Sequence, residues 1–251
     1  MPPAKKRPRK YDPLRTRAAV LAQLGAVREA VAGLDPGQLA LPTRREGMTV
    51  RELAAQVAAS VVAVRQAVER PAQFKQTLPL AEWPLRRAVA FTPVPLDLGA
   101  AEDDLRALLA DHPGSPLVDT GAGVLPLNEF LVTRAVELVL AADDLSDAVP
   151  GLEVPQDRHA LAAATRLLTD ALAVKAPGGS TEVRVPPYAV VQCVEGLRHT
   201  RGTPPNVVET GPLTWVRLAT GRLTWADAVA RAEVSASGER ADLSGLLPLG
   251  G

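Results

Sequence analysis

Val20, Leu24, Val27, Val31 and Leu34 recur at alternating spacings of four and three, and that stripe restricts the first part of this chain to one kind of structure. Residues three and four apart share a face of an α-helix, whereas a strand would bury every second residue, so the spacing predicts an amphipathic helix. Its ends are marked. Asp12-Pro13 supplies a capping carboxylate and a proline at the first helical position, and Asp35-Pro36-Gly37 stops the run. A second helix opens at Thr49. There Thr49-Val50-Arg51-Glu52 has the form of a capping box, in which hydroxyl and carboxylate each satisfy an orphan backbone N–H. Leu53, Val57, Val61, Val64 and Val68 form its apolar face, and Pro71 follows its end. Hydrophobic residues make up 47% of the 251, yet aromatics only 3%, a stock of small aliphatics that suits helix packing better than an aromatic-rich sandwich.

The prolines at 79, 84, 93 and 95 predict a connector with little helix between 79 and 99. Ala101 to Asp111 reads as a shorter helix, with acids 102 to 104 near its positive end and His112-Pro113-Gly114 as its stop. Leu117-Val118 and Val124-Leu125, around Gly121 and Gly123, fit a small hairpin or an extended loop. Asn128 is then the expected cap of a long helix that carries RAVELVLAADDL, residues 134 to 145. Four helices so joined predict an all-α four-helix bundle over residues 12–150, closed by Val149-Pro150-Gly151. The pattern changes afterwards. A helix over 156–174 precedes strands at 181–185 and 189–194, a loop, and a strand from Val207-Val208. Helices follow at 212–219 and 225–232, the second capped by Thr224, and residues 234–236 and 241–243 read as a closing hairpin about Gly238. Residues 151–251 are therefore expected to form a small α+β domain, its sheet mostly antiparallel with helices on one face.

Lys and Arg together number 28, as do Asp and Glu, so no global field favours nucleic acid or a membrane surface. Cys193 is the only cysteine, which excludes an intramolecular disulfide and a multi-cysteine zinc site within the chain. No apolar run approaches the roughly 18–20 residues of a membrane span. MPPAKKRPRKY lacks the apolar segment of a secretory signal, so a cytoplasmic protein with a disordered basic tail over residues 1–11 is expected. No Gly-rich phosphate loop or nucleophile elbow is present.

The carboxylate of Glu137 stands among Val136, Leu138, Val139 and Leu140, with Arg134 three residues before it and Asp144 seven after it. An intrahelical Arg134–Glu137 ion pair is the plain reading of that spacing. TVRELAAQVA (49–58) together with FLVTRAVELVLAADDL (130–145) resembles the actinobacterial mycothiol-dependent maleylpyruvate isomerase group, whose N-terminal domain is a DinB-like four-helix bundle. That group holds a metal with a histidine on the second helix and a Glu-x-x-x-His pair on the last. The resemblance places Gln56 and Ala141 at the two histidine positions and Glu137 at the glutamate. It thereby implies zinc or another divalent metal, and mycothiol, as the family's cofactors, with Glu137 the one matching ligand here. His112 would replace a lost ligand only if its loop folded inward.

GPLTWVRLATGRLTWADAVARAEVSASGERADLSGLLPL (211–249) resembles the end of a sterol-carrier-protein-like domain, which implies a fold that binds apolar ligands or shapes a neighbouring site. Within the expected domain, RHTRGTPPNVVET (198–210) gathers Arg198, His199, Arg201, Asn206 and Glu209, either as an anion-binding loop or as an exposed polar connection. Cys193, Trp215 and Trp225 read as core residues. Two functional expectations follow. One is a degenerate relative of the isomerases that binds a small apolar, lipid-like or thiol-bearing ligand, using Arg134, Asp144, His199 or Arg201. The other is a working thiol-dependent isomerase or transferase with a site rearranged around Gln56, Glu137 and Asp144. A nucleic-acid adaptor has only the basic tail in its favour.

Overall fold

The computed structural model describes residues 8–70, 72, 74–86, 94–196 and 205–250. Four long helices form the first part: α1 (Pro13–Ala32), then after the single turn α2 (Pro36–Leu39), α3 (Val50–Glu69), α4 (Leu98–Asp111) and α5 (Leu127–Ala148). Their starts obey the local chemistry. Asp12 accepts from the Arg15 N–H at the head of α1, and Thr49 and Glu52 close a reciprocal box at the head of α3. Asp35-Pro36-Gly37 does more than stop α1, because Asp35 and Gln38 form a second capping box that starts α2. Asn128 is not the cap of α5. The strand β2 (Val124–Pro126) pairs antiparallel with β1 (Leu117–Asp119) and runs directly into the helix, leaving Asn128 inside the first turn. Its side chain instead accepts from Arg17 of α1 at 3.1 Å.

The stripe of α1 is buried as its spacing predicts, with Val20, Leu24 and Val27 at 0% exposure. α5 is enclosed on nearly all sides, and every residue from Phe130 to Leu145 except Glu137 is buried.

The second part begins with α6 (Arg158–Lys175) and continues with β3 (Thr181–Val185), β4 (Ala189–Cys193), β5 (Val207–Thr210), α7 (Pro212–Ala219), α8 (Trp225–Ala230) and β6 (Val234–Ser237). The sheet order is β4-β3-β5-β6, with β3 and β5 parallel and the outer pairs antiparallel. Residues 241–243 form no closing strand. β6 pairs with β5 instead, and the chain after Gly238 turns into a 3-10 turn at Ser244–Leu246. Gly238 has φ +101, and a Cβ there would collide with the Pro205 carbonyl and with Asn206. α6 packs on α5 and α1 as well as on β4 and α7, so one helix serves both parts. Its buried Ala160, Ala163, Ala164 and Ala171 keep its neighbours close.

Polar groups stitch the two parts together. Gln23 of α1 is fully buried; its amide donates to the Pro155 carbonyl at 3.1 Å and accepts from the Asp157 N–H at 2.7 Å. Ser146 accepts from the Val154 N–H, and Gln156 donates to the Val139 carbonyl. Arg9 forms a two-bond pair with Asp170 of α6, so the basic N-terminal stretch is held to the fold from this residue on; residues 1–7 lie outside the described residues. No helix among the described residues is long and apolar enough to cross a membrane.

The end of α5 carries the main ionic junction. Asp143 and Asp144 are 3% and 0% exposed. Arg217 of α7 grips Asp143 with Nε and Nη2, and Arg222, just past α7, grips Asp144 with Nε and Nη2, both at 2.8 Å. Arg44, from the loop before α3, reaches Asp143, Asp144 and exposed Asp147 at 3.1–3.2 Å. A buried carboxylate stripped of its partner is costly, typically about 3–5 kcal/mol. Arg222→Ala is expected to lower unfolding free energy in urea by about 3 kcal/mol, the lower end because Arg44 still reaches Asp144. Arg51→Ala, on the exposed face of α3, should change it by less than about 0.5 kcal/mol, and equal effects of the two would contradict the junction's importance.

Candidate functional site

Between α3 and α5 lies a cleft of about 580 Å³, within the range of small-molecule pockets. α3 contributes Gln56, Ala63, Gln66 and Ala67 on one helical face, and Arg70 at its C-terminal cap extends the wall to roughly 20 Å. α5 runs the opposite way and contributes Phe130, Arg134, Glu137 and Leu140. Trp83 and the 119–122 turn close one end, while Ala219, Thr220, Arg222 and Gly250 of the second part close the other side. The cleft is thus built at the junction rather than within either part.

Its inner end gathers the residues that the sequence singled out. Gln56, Glu137, Ala141 and Asp144 all line a small adjoining cavity of about 20 Å³, together with Arg45 and Arg222. Arg45 is positioned by a tight loop in which Thr43 donates its N–H and its hydroxyl to the Met48 carbonyl, the Met48 N–H donates to the Arg45 carbonyl, and Arg45 donates its N–H to Thr43 Oγ1. This turn sends neighbouring arginines to different places. Arg44 goes to the acids at the end of α5, and Arg45 Nη1 donates to Gln56 Oε1 at 2.8 Å. Glu137 is half-buried and receives no hydrogen bond or direct ion pair from any described residue.

The expected Arg134–Glu137 pair does not form directly. Arg134, only 2% exposed, turns back: Nε and Nη2 donate to Thr133 Oγ1 at 3.2 and 3.1 Å, and Nη1 donates to the Ser60 carbonyl. Its guanidinium lies 4.8 Å from the centre of the Phe130 ring, a cation–π contact. Burial pushes its pKa down from the ordinary arginine value, and the charge of Glu137 acts in the opposite direction. Asp144 lines the small cavity but its oxygens are engaged by Arg222 and Arg44. Arg198, His199 and Arg201 lie outside the described residues. Asn206 is a structural residue, 7% exposed, donating to the Ser180 carbonyl and accepting from the Arg240 N–H, and Glu209 is exposed on β5.

These donors do not suit a zinc ion. Tetrahedral sites take three or four imidazole, thiolate or carboxylate groups. Here one carboxylate faces a methyl group at Ala141 and an amide oxygen already engaged by a cation, and no group of three His, Cys, Asp or Glu side chains among the described residues could hold a metal. His112 stays at the end of α4, its Nδ1 3.0 Å from the Leu108 carbonyl.

The fold has counterparts among solved structures. A crystal structure of the mycothiol-dependent maleylpyruvate isomerase superposes with a TM-score of 0.54 at 17% identity, covering 92% of this chain and 95% of that one. A histidine-to-alanine mutant of that isomerase gives 0.54 at 16% identity with the same coverage. This chain has the isomerase's fold. Residues 157–249 match the family described as bacterial SCP ortholog, and the match runs from the cap of α6 to beyond the 3-10 turn at Ser244–Leu246. No curated protein matches the chain by sequence.

Sequence reasoning did not find Arg45 or Arg70. Arg45 lies in an aperiodic loop, and its contact with Gln56 is tertiary, so no spacing announces it. Arg222 stands in the ATGRLTW stretch, which reads as a fold signal rather than as a junction. Cys193 takes no part in the cleft. It faces inward beside Val191 at 0% exposure, and burial pushes its thiol up to about 11. A disulfide-exchange reagent such as Ellman's is therefore expected to find one thiol per chain only after denaturant is added. Rapid reaction of the folded protein at neutral pH would show that this strand opens.

Proposed function

We propose that this protein is a degenerate relative of the mycothiol-dependent maleylpyruvate isomerases, a helical unit over 12–150 followed by a sterol-carrier-like unit over 151–251, which binds a small apolar or thiol-bearing ligand in the α3–α5 cleft without the metal of that group. The observation that carries the reading is the Arg45–Gln56 hydrogen bond at the place where the resemblance puts a histidine ligand. The mycothiol dependence of the structural relatives supports a thiol-bearing ligand, and the lining of Trp83, Phe130, Val136 and Leu140 supports an apolar one.

A second reading is favoured by one feature, the Glu137 carboxylate with no direct partner among the described residues. On that reading the protein is an active thiol-dependent isomerase or transferase whose Glu137 takes a proton from the ligand.

Metal analysis after incubation with zinc, followed by gel filtration, is expected to find no stoichiometric zinc, and Glu137→Ala should leave the result unchanged. Stoichiometric zinc that disappears in Glu137→Ala would overturn the degenerate-site reading. Thiol-dependent turnover that falls at least tenfold in Glu137→Gln without any bound metal would establish the second reading instead.

A further inference from the structure

We propose that the Arg45 guanidinium supplies the positive charge at the inner end of the cleft and binds an oxyanion (carboxylate, sulfonate or phosphate) on the ligand; this rests on the reading of the cleft as the ligand site. Three observations carry it. First, Arg45 lines both the cleft and the adjoining small cavity, and the one hydrogen bond its guanidinium makes to a described residue goes to a neutral amide, so its charge is oriented but not neutralised by any carboxylate of the described residues. Two of the other arginines there differ. Arg222 is matched by Asp144 and Arg86 by Glu82.

Second, the amide fixes one edge of the guanidinium and leaves its remaining donors for a ligand. A guanidinium is a planar fork of five N–H donors suited to oxyanions, and it keeps its charge at any physiological pH. Third, Arg70, the residue that ends α3 about four turns beyond Gln56, is a second cation without a carboxylate partner among the described residues, so the cleft presents positive charge at both ends of its α3 wall. Glu137 sets the limit on this charge. It lines the same two cavities, and repulsion by its carboxylate weakens anion binding at Arg45.

The test uses two fluorescent probes that share an anilinonaphthalene body and differ in one group: anilinonaphthalene sulfonate and its neutral analogue, N-phenylnaphthylamine. The sulfonate is expected to bind the full chain about tenfold more tightly than the neutral probe. Arg45→Gln should abolish that preference while leaving the neutral probe's affinity unchanged, Arg45→Lys should keep most of it, and Glu137→Gln should increase it. Ala63→Trp, which fills the cleft, should remove binding of both probes, and Arg51→Gln on the exposed face should change neither. Equal affinity for the two probes, or a preference that survives Arg45→Gln, would overturn the assignment of Arg45 while leaving a cleft that binds apolar ligands. Binding of neither probe, or binding insensitive to Ala63→Trp, would remove the cleft reading itself and Arg45 with it.

Discussion

Two adjacent aspartates with almost no exposure end the long α5 helix, and the rest of the structure is arranged to satisfy them. Each needs a cation, and the three that answer come from separate places: Arg44 from the loop before α3, Arg217 from α7 and Arg222 from the turn after it. Desolvated charges of this kind contribute little net stability, but they allow few alternative arrangements, because any packing that misplaces one arginine leaves a buried carboxylate alone. The junction therefore fixes how the second part sits on the first. It also fixes the cleft, since Arg222 and residues 219–220 form part of its wall.

The same junction governs the inner end of the cleft. With Arg44 committed to the aspartates, the tight turn at Thr43–Met48 aims its neighbour Arg45 at Gln56. A glutamine at this position offers an acceptor for a guanidinium; a histidine that ligates a metal presents a lone pair to a cation of a different kind. Gln56 is thus occupied by the arginine through its only acceptor oxygen. Ala141, one helical turn after Glu137, lines the same small cavity as the arginine.

Much of this architecture was legible in the residues because it is local. The stripe of α1, the capping box of Thr49 and Glu52, the cap of Thr224 and the alternation of β3 each follow from spacing alone, and each forms as expected. The errors lie where tertiary pairing overrides a local signal. Asn128 has the chemistry of a cap, but β2 leads straight into the helix, so the residue is used to bind Arg17 instead. Residues 241–243 are apolar enough for a strand, but β5 takes β6 as its partner. The spacing of Arg134 and Glu137 permits an ion pair, yet a nearly dry site offers Arg134 a hydroxyl, a carbonyl and an aromatic face instead. Gln56, Glu137 and Ala141 line one small cavity; the cation beside them comes from an aperiodic loop that no spacing announces.

A crystal structure of the protein grown with both zinc and a small sulfonate, with diffraction recorded at the zinc absorption edge, tests the account most directly. Sulfonate oxygens are expected on the Arg45 guanidinium, with no anomalous peak between Gln56 and Glu137. A zinc peak ligated by Glu137, with Arg45 displaced from Gln56, would contradict it.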